Sequence, residues 1–317
     1  MLYLLLLAAG FLPMIYGAGM LVDNASSLAK RLNIPDIVIG LTIVGFGTSS
    51  PEIVVNIFGS VAKSSDLVLG NIIGSNLFNT LVILGVTAVI CPIVVKKNTA
   101  WKEIPLSFLA AVVVITVAND AILDGNIPSV ISHIDGILML LFFIIFIVYN
   151  INLAQTELFA GSAGIKDQAP WKSVLLIVAG LVLLVAGGRL IVFAAIKVAS
   201  MIGMSERIIG LTVVSIGTSL PELVTSIVAA MKKNTDIAIG NAIGSNIYNI
   251  FLVLGISAVI NPVALQVGSD MDMLFNIGAG LLLFIFVFTG KGRTINRIEG
   301  SLFLLIYAVY ISLLIVI

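Results

Sequence analysis

Twelve residues near the start of the chain, LTIVGFGTSSPE at 41–52, return as LTVVSIGTSLPE at 211–222. A second stretch, GNIIGSNLFN at 70–79, returns as GNAIGSNIYN at 240–249, and Pro92 returns as Pro262. Every match carries the same offset of 170 residues, as from Gly47 to Gly217 or from Asn79 to Asn249. About half of the positions from 40 to 92 equal their partners, so one structural unit occurs twice. Apolar low complexity would repeat Leu and Val, but not Thr-Ser-x-Pro-Glu in register.

Composition then fixes the solvent of that unit. The 317 residues are 60% hydrophobic and 10% charged, with mean hydropathy +1.20. A soluble domain has about 45–50% apolar and about 25% charged residues. The deficit excludes a water-soluble fold, a disordered tail and a nucleic-acid binder with a basic face. Net charge is 0, so no bulk field steers a ligand. One cysteine, Cys91, allows no internal disulfide, and one histidine, His133, excludes a histidine-rich metal or catalytic site.

A membrane-spanning helix needs about 20 mostly apolar residues, and the profile predicts about ten of them. They cover 1–22, 37–62, 67–92, 102–119 and 133–153, then 172–197, 207–231, 237–261, 272–289 and 299–317. The first lacks the basic flank and A-x-A site of a removable signal peptide. The expected fold is an all-α polytopic membrane protein of ten transmembrane helices, with five-helix repeats at 1–154 and 172–317 joined by a linker at 155–171. Five is odd, so a motif and its copy cross the membrane in opposite directions, as in inverted-repeat transporters with sites near the midplane. Twelve of the sixteen Lys and Arg residues fall on one side if the spans alternate. That side, with the linker, is expected to be cytoplasmic in a cell membrane, which puts both termini outside.

The chemistry lies in mid-span. Pro51 and Pro221 remove an amide donor and Gly47 and Gly217 weaken the helix before them, so a kinked or unwound turn is expected. Thr48, Ser49, Thr218 and Ser219 place hydroxyls there. Glu52 and Glu222 are the only mid-span carboxylates, at a cost of at least about 2.5–3.5 kcal/mol if charged, and no Lys or Arg is placed to face them. Two such acids need cations or protons; the bland alternative is that both stay protonated and bond across a helix interface. Hydroxyls, carbonyls and carboxylates make a hard, all-oxygen site suited to sodium or calcium. The G-N-x-I-G-S-N-x-x-N motif is expected to break the third and eighth spans, its glycines packing helices. Ser75, Asn79, Ser245 and Asn249 supply neutral oxygens for ions, while Asn71, Asn76, Asn241 and Asn246 suit caps at broken helix ends as well as ligands. Asp66 and Asp236 read as acids at helix starts, where the dipole favours them. Asp120, Asp124 and Asp135 read as solvated loop acids, His133 as an interfacial residue, and Trp101 and Trp171 as interface anchors.

With both motifs present twice, the chain resembles the calcium/cation antiporter superfamily, in particular the sodium/calcium exchanger branch and its small prokaryotic members. The resemblance implies antiport of Ca2+ against Na+ by alternating access, with four clustered cation sites between the second, third, seventh and eighth spans. It implies that Glu52 and Glu222 are the central calcium ligands and that Thr48 and Thr218 add carbonyls. It also implies that Ser49, Ser75, Ser219 and Ser245, with the carbonyls of Gly45 and Ser215, complete flanking sodium sites, and that Asn79 and Asn249 lie at the middle. The proton-coupled branch carries G-N-x-x-E where this chain has Gly-Ser-Asn, and the potassium-dependent branch carries Asp where Asn249 stands. The first departure argues against proton coupling and the second puts potassium dependence in doubt, with an H+- or K+-coupled calcium/cation antiporter as the alternative within the superfamily. The resemblance further implies that the first and sixth spans slide past the remaining helices. The ions and the lipid bilayer are the only partners expected, with no prosthetic group, protein partner or nucleic acid. A cation channel is the competing class, and a membrane enzyme is disfavoured by the lack of any nucleophile–base constellation.

Overall fold

The computed structural model describes residues 2–32, 34–119, 129–156, 170–201, 215–265, 268–289 and 292–316. The first half builds α1 (Leu2–Leu32), the bent pair α2 (Asp36–Thr48) and α3 (Ser50–Val61), α4 (Ser65–Ile90), α5 (Thr99–Ala118) and α6 (His133–Thr156). The second builds α7 (Pro170–Met201), α8 (Ser215–Thr218), α9 (Leu220–Met231), α10 (Thr235–Ile260), α11 (Ser269–Thr289) and α12 (Arg297–Val316). Among the described residues seven helices are long and apolar enough to cross a membrane, eight with the bent pair counted as one span. The seventh expected span lies partly outside the described residues, as do most of the linker, Lys166, Asp120 and Asp124.

Burial sorts these helices into layers. In α4 and α10, 78% of the apolar window is buried inside the protein, against 22% to 39% in α5, α6, α7, α11 and α12. The small and amide side chains of the G-S-N motif let α4 and α10 sit at the centre. The outer helices present Leu, Ile, Val and Phe outward, as with Ile137, Leu141 and Ile145 of α6, a face that suits lipid. Trp101 and Trp171 are also exposed.

The break at the first motif occurs as expected. Ser49, with φ −79° and ψ 5°, separates α2 from α3 at a bend of 47°, and Ser219, with φ −87° and ψ 4°, separates α8 from α9. Pro51 and Pro221 stand in the first turn after each break, where a missing N–H costs nothing. The second motif does not break its helix, contrary to the sequence reading. Ser65–Ile90 and Thr235–Ile260 are continuous, and each instead widens to π-helical turns at Phe78–Ile83 and Tyr248–Leu254. A π-turn keeps the backbone paired while rotating the side chains within it, which unwinding in a bilayer could not do without satisfying each freed group.

The α1 helix runs for 31 residues, past the expected end at 22, and packs lengthwise on the 32-residue α7. A Cβ on Gly17 would lie 2.6 Å from the Gly180 carbonyl oxygen, and one on Gly187 would lie 2.7 Å from that of Gly10. Gly10 meets Gly187 and Gly17 meets Gly180, so these repeat-related helices run antiparallel at a glycine crossing. Met14, Ala18, Leu21, Ile177 and Leu184 give this pair an apolar core of its own.

The last helix of each half packs on the opposite half. Gly136 of α6 touches Gly255 of α10, and Gly300 of α12 touches Gly85 of α4. Two short antiparallel pairs tie the same crossover: Ile93–Val94 with Thr294–Ile295, and Val130–Ile131 with Val263–Ala264. From Gly136 to Gly300 the repeat continues at an offset of 164, with Ser132 and Asp135 answered by Asn296 and Glu299 as helix-start hydrogen bonds. The two halves are interlaced.

Candidate functional site

Glu52 and Glu222 occupy the first turns of α3 and α9, where unpaired helix N–H groups and the dipole favour negative charge. Both are buried, as are Thr48, Ser49, Ser75, Asn79, Thr218, Ser219, Ser245 and Asn249. Burial is thus common to all ten, and hydrogen bonds bring Ser49, Ser219 and Ser245 onto the two acids, while Asn79 and Asn249 bond Asn246 and Asn76. Two contacts define the geometry: Ser49 Oγ donates to Glu222 Oε1 at 3.0 Å, and Ser219 Oγ donates to Glu52 Oε1 at 3.1 Å. Each acid is met by the serine at the break of the other repeat. Ser245 Oγ lies a further 3.5 Å from Glu222 Oε1.

What these side chains leave unbonded is a set of oxygens. Glu52 Oε2, Glu222 Oε2, Ser75 Oγ, Asn79 Oδ1 and Asn249 Oδ1 are all buried without a hydrogen-bond partner. A buried acceptor with no donor costs about 1–3 kcal/mol, more when charged, and proteins rarely cluster several without a ligand to receive them. The ion pairs among the described residues, Lys96–Asp236 and Lys232–Asp23, involve neither acid. Those residues also hold no group of three or more His, Cys, Asp or Glu side chains. The donor set is thus two carboxylates plus neutral oxygens, which fits a hard cation and suits no thiolate- or imidazole-seeking metal. The Gly45 carbonyl accepts Ser49 N–H at 3.1 Å and lies 3.3 Å from Thr48 Oγ1, so an ion there would share it with them. Ser215 opens α8.

The asparagines left open by the sequence brace the site. Thr48 Oγ1 lies 2.9 Å from Asn241 Oδ1, and Thr218 Oγ1 lies 3.2 Å from Asn71 Oδ1. Asn241 Nδ2 also donates to the Glu222 carbonyl at 3.1 Å and to Ser226 Oγ at 2.9 Å. Asn79 Nδ2 donates to Asn246 Oδ1 and Asn249 Nδ2 to Asn76 Oδ1, both at 3.1 Å. None caps a broken helix, because α4 and α10 do not break. The sequence reading also missed Asn56, whose Nδ2 donates to the Glu52 carbonyl at 2.8 Å, and Ser226. Their signal was present: each stands four residues after a glutamate, on the same helix face.

Elsewhere the expectations met different outcomes. Asp66 and Asp236 sit in first turns, but Asn234 supplies the cap at Ile237 N and Asp236 pairs with Lys96 at 2.7 Å. Asp135 bonds Ser132 at its helix start, and His133 Nδ1 lies 2.9 Å from the Ala258 carbonyl. Glu103, unremarked in the sequence, is buried between helices and accepts from Tyr149 Oη.

A bundle of apolar helices around a buried, all-oxygen, doubly acidic cluster defines the class of membrane cation carriers. The sodium/calcium exchanger protein family matches residues 2–152 and 172–316, both repeats, and the chain belongs to it. The inner membrane protein YrbG of Escherichia coli is 36% identical, over 81% of this chain and 79% of its own length. The sodium/calcium exchanger MaX1 of Methanosarcina acetivorans is 31% identical over 98% and 97%. Among solved structures the sodium-calcium exchanger NCX_Mj, soaked with Na+ and Ca2+, aligns at 32% identity with a TM-score of 0.82 and covers 98% of both chains. The chain is a Ca2+/cation antiporter of this family, and the family is one of ion exchangers, not enzymes.

Proposed function

We propose that the protein exchanges Ca2+ for Na+ by alternating access, moving net charge, with the ions held at the membrane midplane between two inverted five-helix repeats. The observation that carries this is the reciprocal pair Ser49–Glu222 and Ser219–Glu52, whose two carboxylates each keep a buried, unbonded Oε2. Ca2+ takes six to eight oxygens, which two carboxylates, Asn79, Asn249 and nearby carbonyls of Thr48 and Thr218 can furnish. Ser49, Ser75, Ser219 and Ser245, with the Gly45 and Ser215 carbonyls, flank that centre as sodium ligands. Two formal negatives balance one Ca2+ or two Na+; a third Na+ leaves the loaded carrier with one surplus positive charge. Asn at 249, and Gly-Ser-Asn where the proton-coupled branch carries G-N-x-x-E, favour sodium over potassium or proton coupling.

Inversion is supported by the antiparallel crossing of the repeat-related α1 and α7. The division at 1–154, 155–171 and 172–317 follows from the same repeat. Orientation with both termini outside and the linker cytoplasmic rests on the distribution of Lys and Arg, and the Lys232–Asp23 and Lys96–Asp236 pairs agree with placing those segments on one side.

The test is calcium uptake into proteoliposomes loaded with Na+, under imposed voltage. Uptake is expected to need the outward Na+ gradient, to accelerate with a positive interior and to ignore K+. Glu52→Gln or Glu222→Gln is expected to abolish it while the protein still folds. Wild-type flux in either variant overturns the shared site, and voltage-independent flux overturns the charge count.

A further inference from the structure

Asn79 and Asn249 each offer an unbonded, buried Oδ1, although an amide can as easily present its NH2. An NH2 group turned toward the glutamates would bond them and repel a cation. The structure contains a chain of bonds that decides the matter for Asn249. It begins at a main-chain carbonyl, that of Asn246, which can only accept. Asn76 places Nδ2 at 3.3 Å from that oxygen, so the other end of the Asn76 amide, Oδ1, must face Asn249. Asn249 answers with Nδ2 at 3.1 Å. Its own Oδ1 is then the end left buried and without a partner.

We infer that Asn76 is a positioning residue that fixes the polarity of the Asn249 amide from across the repeat interface and so makes Asn249 an oxygen donor to the cation. The inference rests on the site assignment above. The companion chain, from Asn79 Nδ2 to Asn246 Oδ1 and from Asn246 Nδ2 to Thr80 Oγ1 at 2.8 Å, ends on a hydroxyl. A hydroxyl donates or accepts, so this second chain can run in either direction and fixes less. Ile250 stands where Thr80 would recur, so α10 has no hydroxyl at the equivalent position. The four asparagines are equivalent in pairs by sequence, but Asn76 alone is anchored to a group of fixed sign.

The test is a double-mutant cycle read by radiocalcium binding to the purified full-length protein. Asn76→Ala is expected to weaken calcium binding about tenfold, the scale of removing one charge-assisted interaction. Asn76→Ser, whose hydroxyl can still accept from Asn249, is expected to recover most of that affinity. In an Asn249→Asp background Asn76→Ala is expected to change binding less than twofold or to tighten it, because a carboxyl group has oxygen at both ends. An equal loss in both backgrounds would make Asn76 a general helix support and overturn the inference. No loss in either background would overturn it too, as would absence of binding by Asn249→Asp alone. If instead Glu52→Gln and Glu222→Gln bind calcium like wild type, the site assignment itself has failed, a result separate from failure of the clamp.

Discussion

Glu52 and Glu222 are each met by the serine of the opposite repeat, at 3.1 and 3.0 Å, yet the side chains behind them differ. The Glu52 carbonyl is held by Asn56, four residues on in its own helix. The Glu222 carbonyl is held by Asn241 of α10, which also bonds Ser226 and reaches Thr48 of the first repeat. Asn71, the counterpart of Asn241, bonds Thr218 through Oδ1 and leaves Nδ2 unbonded. The repeats thus agree in the serine that meets each acid and diverge in what holds the acid's main chain. One acid is set by its own helix, the other by a neighbouring helix that also grips the first repeat. An ion held as proposed would impose symmetry on the oxygens it touches and none on their supports.

The largest effect expected from this comparison is a symmetrical one. Ser49→Ala and Ser219→Ala each remove a hydroxyl from a buried carboxylate, a bond worth about 1.5–3 kcal/mol. Calcium affinity in either variant should fall about ten- to hundredfold, and the two losses should agree within about a factor of three. Affinities that differ by more, measured on the purified variants, would break the equivalence of the two acids.

A smaller and unequal effect is expected one step behind. Asn241→Leu strips bonds to Thr48, Ser226 and the Glu222 carbonyl, whereas Asn71→Leu strips one bond and removes an already unbonded amide nitrogen. At about 1 kcal/mol per net hydrogen bond, Asn241→Leu should cost about 2 kcal/mol more. Thermal unfolding without calcium should place the Asn241 variant well below the Asn71 variant. Equal melting temperatures would mean that the supports are as symmetrical as the site.

How much of this was legible in the sequence depends on the range of the interaction. Glu52, Glu222 and the serines at 49 and 219 could be named because duplication flagged them and because proline and glycine mark a break locally. The π-turns at Phe78–Ile83 and Tyr248–Leu254 could not, since a wide turn needs no Gly or Pro and the motif read as a break. Partners across the halves were also hidden. That Asn76 answers Asn249 while Asn241 answers Thr48 follows from how α4 and α10 cross, which no local pattern states. The crossover of α6 and α12 was obscured by the fall of the offset from 170 to 164. The length of α1 was missed because Asp23, Asn24 and Ser26 look like an end, although Asp23 meets Lys232 and Ser26 meets Asn234.

The pairings at the end of α1 carry the smallest effect. Lys232 Nζ lies 2.7 Å from Asp23 Oδ1 and 3.2 Å from the Gly19 carbonyl, and Asn234 Nδ2 reaches Ser26 at 3.0 Å and Asp36 at 2.8 Å. Together they pin the end of α1 to the turn after α9. At the repeat-related positions stand Ala62, Phe193 and Ser64, so the other end of the molecule has no counterpart of the Lys232–Asp23 pair. The pair is exposed, and an exposed ion pair is worth about 0–1 kcal/mol, less in salt. Lys232→Ala should therefore leave calcium affinity and folding nearly unchanged. It should alter the exchange rate by no more than about fivefold, since α1 would be freer at that one end. The change should fade as ionic strength rises, because screening already weakens the contact in the wild type. An Asp23→Ala variant should match it, and Lys232→Ala in the Asp23→Ala background should add little. A rate change that persists at high salt would show that Lys232 acts through the Gly19 carbonyl, and hence through the backbone of α1 rather than through charge.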